Sequence, residues 1–213
     1  MPFKAKDKIV FIGDSITDKG RKKDPMKLGT SYVRLLHDWL TATYPELSLR
    51  IINEGVSGNR VTDLAKRWTL DVLDHKPQWI SISIGINDVW RQLDSPDMEQ
   101  VLPDRFEEIY GQLLEQTRAL PDCRLILMQP TVIKEYPDST GNRLLVPYVE
   151  AVNRLAERFG AVLVPTHEAF VDFLRQDTGK DLTTDGVHMN PLGDMLMAAT
   201  WLKSVKGGSG GRL

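Results

Sequence analysis

The stretch FIGDSITD, residues 11–18, runs from apolar residues into Gly13-Asp14-Ser15, and the apolar pattern breaks off at the serine. A serine hydroxyl is a weak nucleophile at neutral pH and needs an adjacent base. The chain holds four histidines, His37, His75, His167 and His188. His37 and His75 fall in helical or pre-strand context and read as solvent-facing. His167, in PTHEAF, follows an expected strand and competes for the role, but Val164 stands three residues before it. His188 lies in TTDGVHMNP, with Asp185 three residues earlier. In a tight turn that spacing sets a carboxylate against the imidazole Nδ1–H, which fixes the tautomer and leaves Nε2 for the serine. Taken alone, DGVH reads equally well as a loop histidine beside a helix-start aspartate.

Acyl transfer also needs donors for the developing oxyanion. Ser15 offers its own backbone N–H if a helix begins there. NEGVSGNR offers Gly58, whose lack of a side chain lets its N–H approach a ligand, and GIND offers the Asn87 side-chain amide. Singly, each is a turn glycine or a cap asparagine; on one rim they are a site. Phosphate binding is disfavoured, because neither G-x-x-x-x-G-K-[S/T] nor G-x-G-x-x-G occurs and Asp14 would repel the anion. Asp14, Asp18, Asp88 and Asp185 do not form a spaced metal-ligating set, so no metal is expected. Lone Cys123 excludes an internal disulfide or a cysteine cluster, and its setting in CRLILM suggests a buried thiol.

The elements that must position these residues alternate along the chain. Short apolar runs predict strands at Lys8–Ile12, Leu49–Asn53, Trp79–Gly85, Arg124–Gln129 and Ala161–Pro165. Between them, apolar residues at helical spacing predict helices around Tyr32–Tyr44, Val61–Leu73, Phe106–Thr117 and Tyr148–Phe159. A last helix is expected from Asn190-Pro191, a cap followed by proline at the first helical position. This alternation predicts an α/β fold with a five-stranded parallel sheet covered on both faces. Ligands then sit beyond the carboxyl ends of the strands. GDS, NEGVSGN, GIND and a long loop over residues 131–147 all fall there.

Length and composition fit a single domain over residues 1–205, with KGGSGGRL (206–213) as a flexible linker or cloning remnant. A formal net charge of −2 draws the chain to neither nucleic acid nor anionic membrane. No stretch approaches the roughly 18 apolar residues of a membrane span, and the N-terminus lacks an apolar signal region. A cytoplasmic location is therefore expected. Tryptophans and the long fourth-strand loop hint at a homo-oligomer.

Four blocks in order, GDS (Ser15), GVSGN (Gly58), GIND (Asn87) and DGVH (Asp185 and His188), resemble those of the SGNH hydrolase superfamily, the GDSL esterases and lipases. The resemblance implies a flavodoxin-like three-layer α/β/α sandwich and a Ser15–His188–Asp185 triad. It also implies an oxyanion hole of Ser15, Gly58 and Asn87, with no cofactor. Isoleucine at position 16, where the family name has leucine, is a volume-conserving change. FIGDSITD, NEGVSGN and IGINDVWRQ further resemble the bacterial acetyl-xylan and xylooligosaccharide esterases. That implies a serine esterase deacetylating a small acetylated sugar. Asp14 would then be a substrate contact, and Trp90 would wall the acyl or sugar site, unless its ring serves only loop packing. DKGRKKD (residues 18–24) reads as a sugar-contacting rim or a solvated loop. The alternatives are a longer-chain acyl esterase of lysophospholipase or thioesterase type, and a non-catalytic binding domain.

Overall fold

The computed structural model describes residues 1–207. Five parallel strands form one sheet in the order β2-β1-β3-β4-β5: β1 (Lys8–Gly13), β2 (Arg50–Gly55), β3 (Trp79–Ser83), β4 (Arg124–Met128) and β5 (Val162–Val164). Their near-continuous apolar character follows from burial on both faces; Ile9, Val10, Phe11 and Ile12 are all inaccessible to solvent. Register pairs Gly13 with Gly55 on one side and with Ser83 on the other, so the carboxyl ends of β2, β1 and β3 lie level.

The helices are α1 (Ser15–Asp18), α2 (Tyr32–Thr43), α3 (Val61–Asp71), α4 (Ile86–Asp94), α5 (Pro103–Gln116), α6 (Thr140–Phe159), α7 (Thr166–Arg175) and α8 (Pro191–Gly207). On one face α8 packs against α2 and α7; on the other α5 packs against α3 and α6. Trp201 of α8 seals the first layer. Its ring lies 5.7 Å from Phe11 and 6.0 Å from Phe3, and its Nε1–H donates to Ser81 Oγ at 3.0 Å. In the second layer Phe106 meets Tyr110 and Tyr148 edge to face. The result is the expected three-layer α/β/α sandwich around an all-parallel five-stranded sheet.

The local differences from expectation have physical causes. The loop expected over residues 131–147 is shorter, because α6 begins at Thr140. Ser139 Oγ accepts from Asn142 N–H at 3.0 Å and caps the helix. Pro147 sits inside α6, where its missing N–H leaves the turn before it one bond short. Leu145, Tyr148, Val149 and Val152 stay in phase and buried, and this packing outweighs the lost bond. Helices α4 and α7 were not anticipated, so Trp90 lies on a helix rather than in a loop. Cys123 is half-buried rather than buried, and desolvation pushes its thiol up to about 11. Helix α8 continues to Gly207, two residues into the expected tail; residues 208–213 lie outside the described residues. Among the described residues no helix is long and apolar enough to cross a membrane.

Candidate active site

The site grows from the end of β1. Asp14 follows Gly13 and caps α1, its Oδ1 accepting the Ile16 N–H at 2.9 Å. Ser15 is therefore the first residue of a helix, and its N–H makes no bond to the described residues. Asp14 itself is only 1% exposed. Burial pushes its carboxyl up to about 7, against the opposing pull of the Ile16 N–H and the charges of His188 and Arg67. Asp14, expected as a substrate contact, is thus almost wholly buried, and its side chain holds the first turn of α1.

The partner of Ser15 arrives from the far end of the chain. Residues 183–189 close a narrow loop through an antiparallel bridge between Thr183 and Met189, with Thr184 N–H donating to His188 O at 2.8 Å. Inside it, Asp185 Oδ1 accepts the N–H groups of Val187 (3.0 Å) and His188 (2.8 Å), and Oδ2 lies 2.6 Å from His188 Nδ1. His188 Nε2 lies 2.9 Å from Ser15 Oγ. With the Nδ1 proton on the carboxylate side, Nε2 is free to accept the serine proton. Burial raises the Asp185 carboxyl, but the bonds from the His188 ring and the two N–H groups outweigh it and hold the group below the usual carboxylate range.

Two residues from the loop after β4 hold this turn in place, and sequence reasoning did not single them out. Glu135 Oε1 accepts from the N–H of Leu182 (3.2 Å) and Thr183 (2.7 Å), and from the Thr183 hydroxyl. Lys134 N–H donates to Gly186 O at 2.7 Å.

The remaining donors come from β2 and β3. Residues 56–59 form a turn closed by Asn59 N–H to Val56 O at 3.2 Å, with Gly58 at φ +82°. That positive φ at the third position is what a type II turn requires, hence glycine. The Gly58 N–H bonds to none of the described residues. Asp18, at the end of α1, braces the turn by accepting from Ser57 Oγ at 2.8 Å and Ser57 N–H at 3.3 Å. Asn87 occupies the first turn of α4, 2% exposed, and its Nδ2–H donates to Asn59 O at 3.1 Å. The neighbouring Asp88 reaches the same segment and accepts from Val61 N–H at 3.2 Å, at the start of α3. Burial pushes its carboxyl up to about 7 as well. Gly58 and Asn87, expected to join Ser15 as oxyanion donors, thus follow β2 and β3, the two strands that flank β1.

Trp90 is half-buried on α4, its ring 5.8 Å from the His188 imidazole at an angle of 60°. It therefore packs beside the His188 ring. The DKGRKKD segment is partly structural: Arg21 donates to Gly55 O and Asn53 O at 2.6 and 2.8 Å, whereas Lys22 and Lys23 are exposed. His167 is 9% exposed, with Nδ1 on Thr131 O at 2.5 Å, and burial lowers its pKa. His37 and His75 are half-buried rather than fully solvent-facing, beside Asp38 and Glu54 respectively. Among the described residues no group of three or more His, Cys, Asp or Glu is arranged to hold a metal. A cleft of about 870 Å³ lies at the opposite pole, at the amino ends of β3, β4 and β5, lined by Trp79, Arg124 and Val162 among others.

A serine at a strand–helix turn, a histidine on its hydroxyl and a carboxylate behind the histidine, on an α/β/α sandwich, define a serine hydrolase. The chain belongs to the GDSL-like Lipase/Acylhydrolase family, whose model matches residues 11–196. It is 39% identical over 206 residues to an acetylxylan esterase from Geobacillus stearothermophilus, covering 93% of this chain and 94% of that one. The crystal structure of that organism's acetylxylan esterase Axe2 superposes with a TM-score of 0.90 at 39% identity, covering 96% of each chain. A more distant relative is thioesterase 1/protease 1/lysophospholipase L1 of Escherichia coli K12. It is 25% identical over 187 residues, covering 87% of this chain and 77% of that one.

Proposed function

We propose that the protein is a serine esterase that removes acetyl groups from carbohydrate hydroxyls through an acetyl-serine intermediate. The observation that carries this reading is the line Asp185 Oδ2–His188 Nδ1, 2.6 Å, and His188 Nε2–Ser15 Oγ, 2.9 Å. Ser15 Oγ attacks the acetyl carbonyl carbon as its proton passes to His188 Nε2. The oxyanion forms against Ser15 N–H, Gly58 N–H and the Asn87 amide, each such donor typically lowering the barrier by about 3–4 kcal/mol. Collapse expels the sugar oxygen, which takes the proton from Nε2 and leaves acetyl on Ser15. Water then attacks the acetyl group with His188 as base, releasing acetate and restoring the serine. Asp185 orients the imidazole and stabilises its cationic form.

Support for the acetyl-sugar substrate comes from the acetylxylan esterase relative, which matches over nearly its full length. Solved catalytic mutants of Axe2 replace a serine, an aspartate and a histidine, the same three residue types. A second reading, longer-chain acyl hydrolysis, draws on the likeness to the thioesterase/lysophospholipase. Turnover of acetylated xylooligosaccharides, measured beside p-nitrophenyl acetate, butyrate and octanoate, separates the two. The expected result is deacetylation of the oligosaccharides and a sharp optimum at the acetyl ester, with Ser15→Ala slower by about 10³-fold or more. An optimum at the longer chains would shift the assignment to the second reading. No turnover of any activated ester would leave only a binding domain.

A further inference from the structure

The oxyanion donors come from three separate segments: the start of α1, the turn after β2 and the start of α4. One side chain ties these segments together. Arg67 projects from α3 with its side chain 15% exposed. Nη2 donates to Gly13 O at 2.9 Å, the carbonyl that ends β1 two residues before Ser15. Nη1 donates to Glu54 O at 2.7 Å, near the end of β2, and to Asp71 Oδ2 at 2.7 Å, one turn further along α3. Nε donates to Asn59 Oδ1 at 2.7 Å. Asn59 in turn follows Gly58, closes its turn through its own N–H, and accepts the Asn87 amide on its backbone carbonyl. The Gly13 carbonyl also accepts Val56 N–H at 3.0 Å, so the first residue of the Gly58 turn is fixed to the same oxygen.

We propose that Arg67 is a positioning residue for oxyanion stabilisation, setting the spacing of Ser15 N–H, Gly58 N–H and the Asn87 amide from one rigid plane. The proposal rests on the reading of those three groups as oxyanion donors. Four N–H vectors leave the guanidinium in fixed directions, and each ends on an acceptor belonging to β1, β2, the Gly58 turn or α3's own Asp71. A lysine ammonium at the same place is a point charge on a flexible stem and does not reproduce that fork. Misplacing a preorganised donor by about 1 Å costs rate without weakening ground-state binding, because the oxyanion exists only along the reaction path.

The test is a kinetic double-mutant cycle on p-nitrophenyl acetate with wild type, Arg67→Lys, Asn87→Ala and the double variant. Arg67→Lys is expected to lower kcat by about 10–100-fold with KM within about 3-fold of wild type. In the Asn87→Ala background the same change is expected to cost less than about a third of that factor, since the two residues act on one structure. Arg67→Ala is expected to regain rate on addition of guanidinium ion at tens of millimolar, but not of ammonium or sodium chloride at equal concentration. Asn59→Ala, which removes one acceptor and leaves Arg67 in place, is expected to lower kcat in the same non-additive way. It serves as the deciding variant if Arg67→Lys fails to show cooperative unfolding. Wild-type kcat in Arg67→Lys, or full additivity with Asn87→Ala, overturns the proposal while leaving the reaction assignment intact. A wild-type rate in Asn87→Ala instead overturns the oxyanion reading itself, and the positioning role with it.

Discussion

Asp14 lies immediately before the proposed nucleophile and is almost fully buried, so its ionisation is a stability variable as well as a local one. Its carboxyl is pushed by burial from 3.8 to about 7. The folded value lies above the unfolded one, so between about pH 4 and pH 7 the native state holds a proton that the unfolded chain has lost. Stability contributed by the neutral acid is present at low pH and declines as pH rises through this window. At about 1.4 kcal/mol per pH unit, the separation amounts to about 4 kcal/mol at most. About 3 kcal/mol of this develops between pH 5 and pH 8. Asp14→Asn removes the titration and keeps the cap, because an asparagine Oδ1 can still accept the Ile16 N–H. Urea denaturation followed by tryptophan fluorescence at pH 5, 6, 7 and 8 gives the unfolding free energy of each protein. The variant is expected to gain steadily on wild type as pH rises, with the gap widening by up to about 3 kcal/mol across the series. A gap of the same size at pH 5 and pH 8 would refute the claim that desolvation dominates at Asp14. It would mean that the carboxylate is compensated by its surroundings throughout.

Two further predictions concern the base and its partner. His188→Ala is expected to abolish turnover of p-nitrophenyl acetate, whereas His167→Ala, whose ring bonds to Thr131 O, keeps a substantial fraction. The reverse result would reassign the base. Asp185→Asn is expected to lower kcat by roughly 10²–10⁴-fold, since the imidazolium formed in the transition state loses its carboxylate. Because Asp185 is held below the usual carboxylate range, its stabilising contribution is complete above about pH 4 and is lost only as pH falls through its depressed folded value. The acidic fall in activity above pH 5 therefore does not report Asp185. A carboxyl titration of Asp185 itself above pH 5, followed by NMR, would contradict this.

How much of this was legible in the sequence depended on where each signal was written. The four chemical blocks stood out because a parallel sheet buries its central strands, so polar residues at the ends of apolar runs mark the rim. Asn190 and Pro191 announced α8 for a similarly local reason, since a cap acts within its own turn; Asn190 Oδ1 accepts from Leu192 and Gly193 N–H. Helix α4 escaped because its buried side is carried in part by Asn87 and Asp88, which erase the apolar period that would have revealed it. Helix α7 escaped in the same way, since its buried residues are Thr166, His167 and Phe170. The burial of Asp14 was not legible, because a carboxylate beside a serine at a strand end reads as exposed on the rim. Arg67 and Glu135 were invisible for a deeper reason. An arginine on an amphipathic helix and a glutamate in a loop both read as solvated. Their partners include backbone groups 54 and 48 residues away, and a backbone carbonyl or N–H carries no side-chain identity to be read. The residues that perform the chemistry are constrained in type and so leave a pattern. Those that hold them in register are constrained mainly by place, and place becomes visible only once the chain is folded.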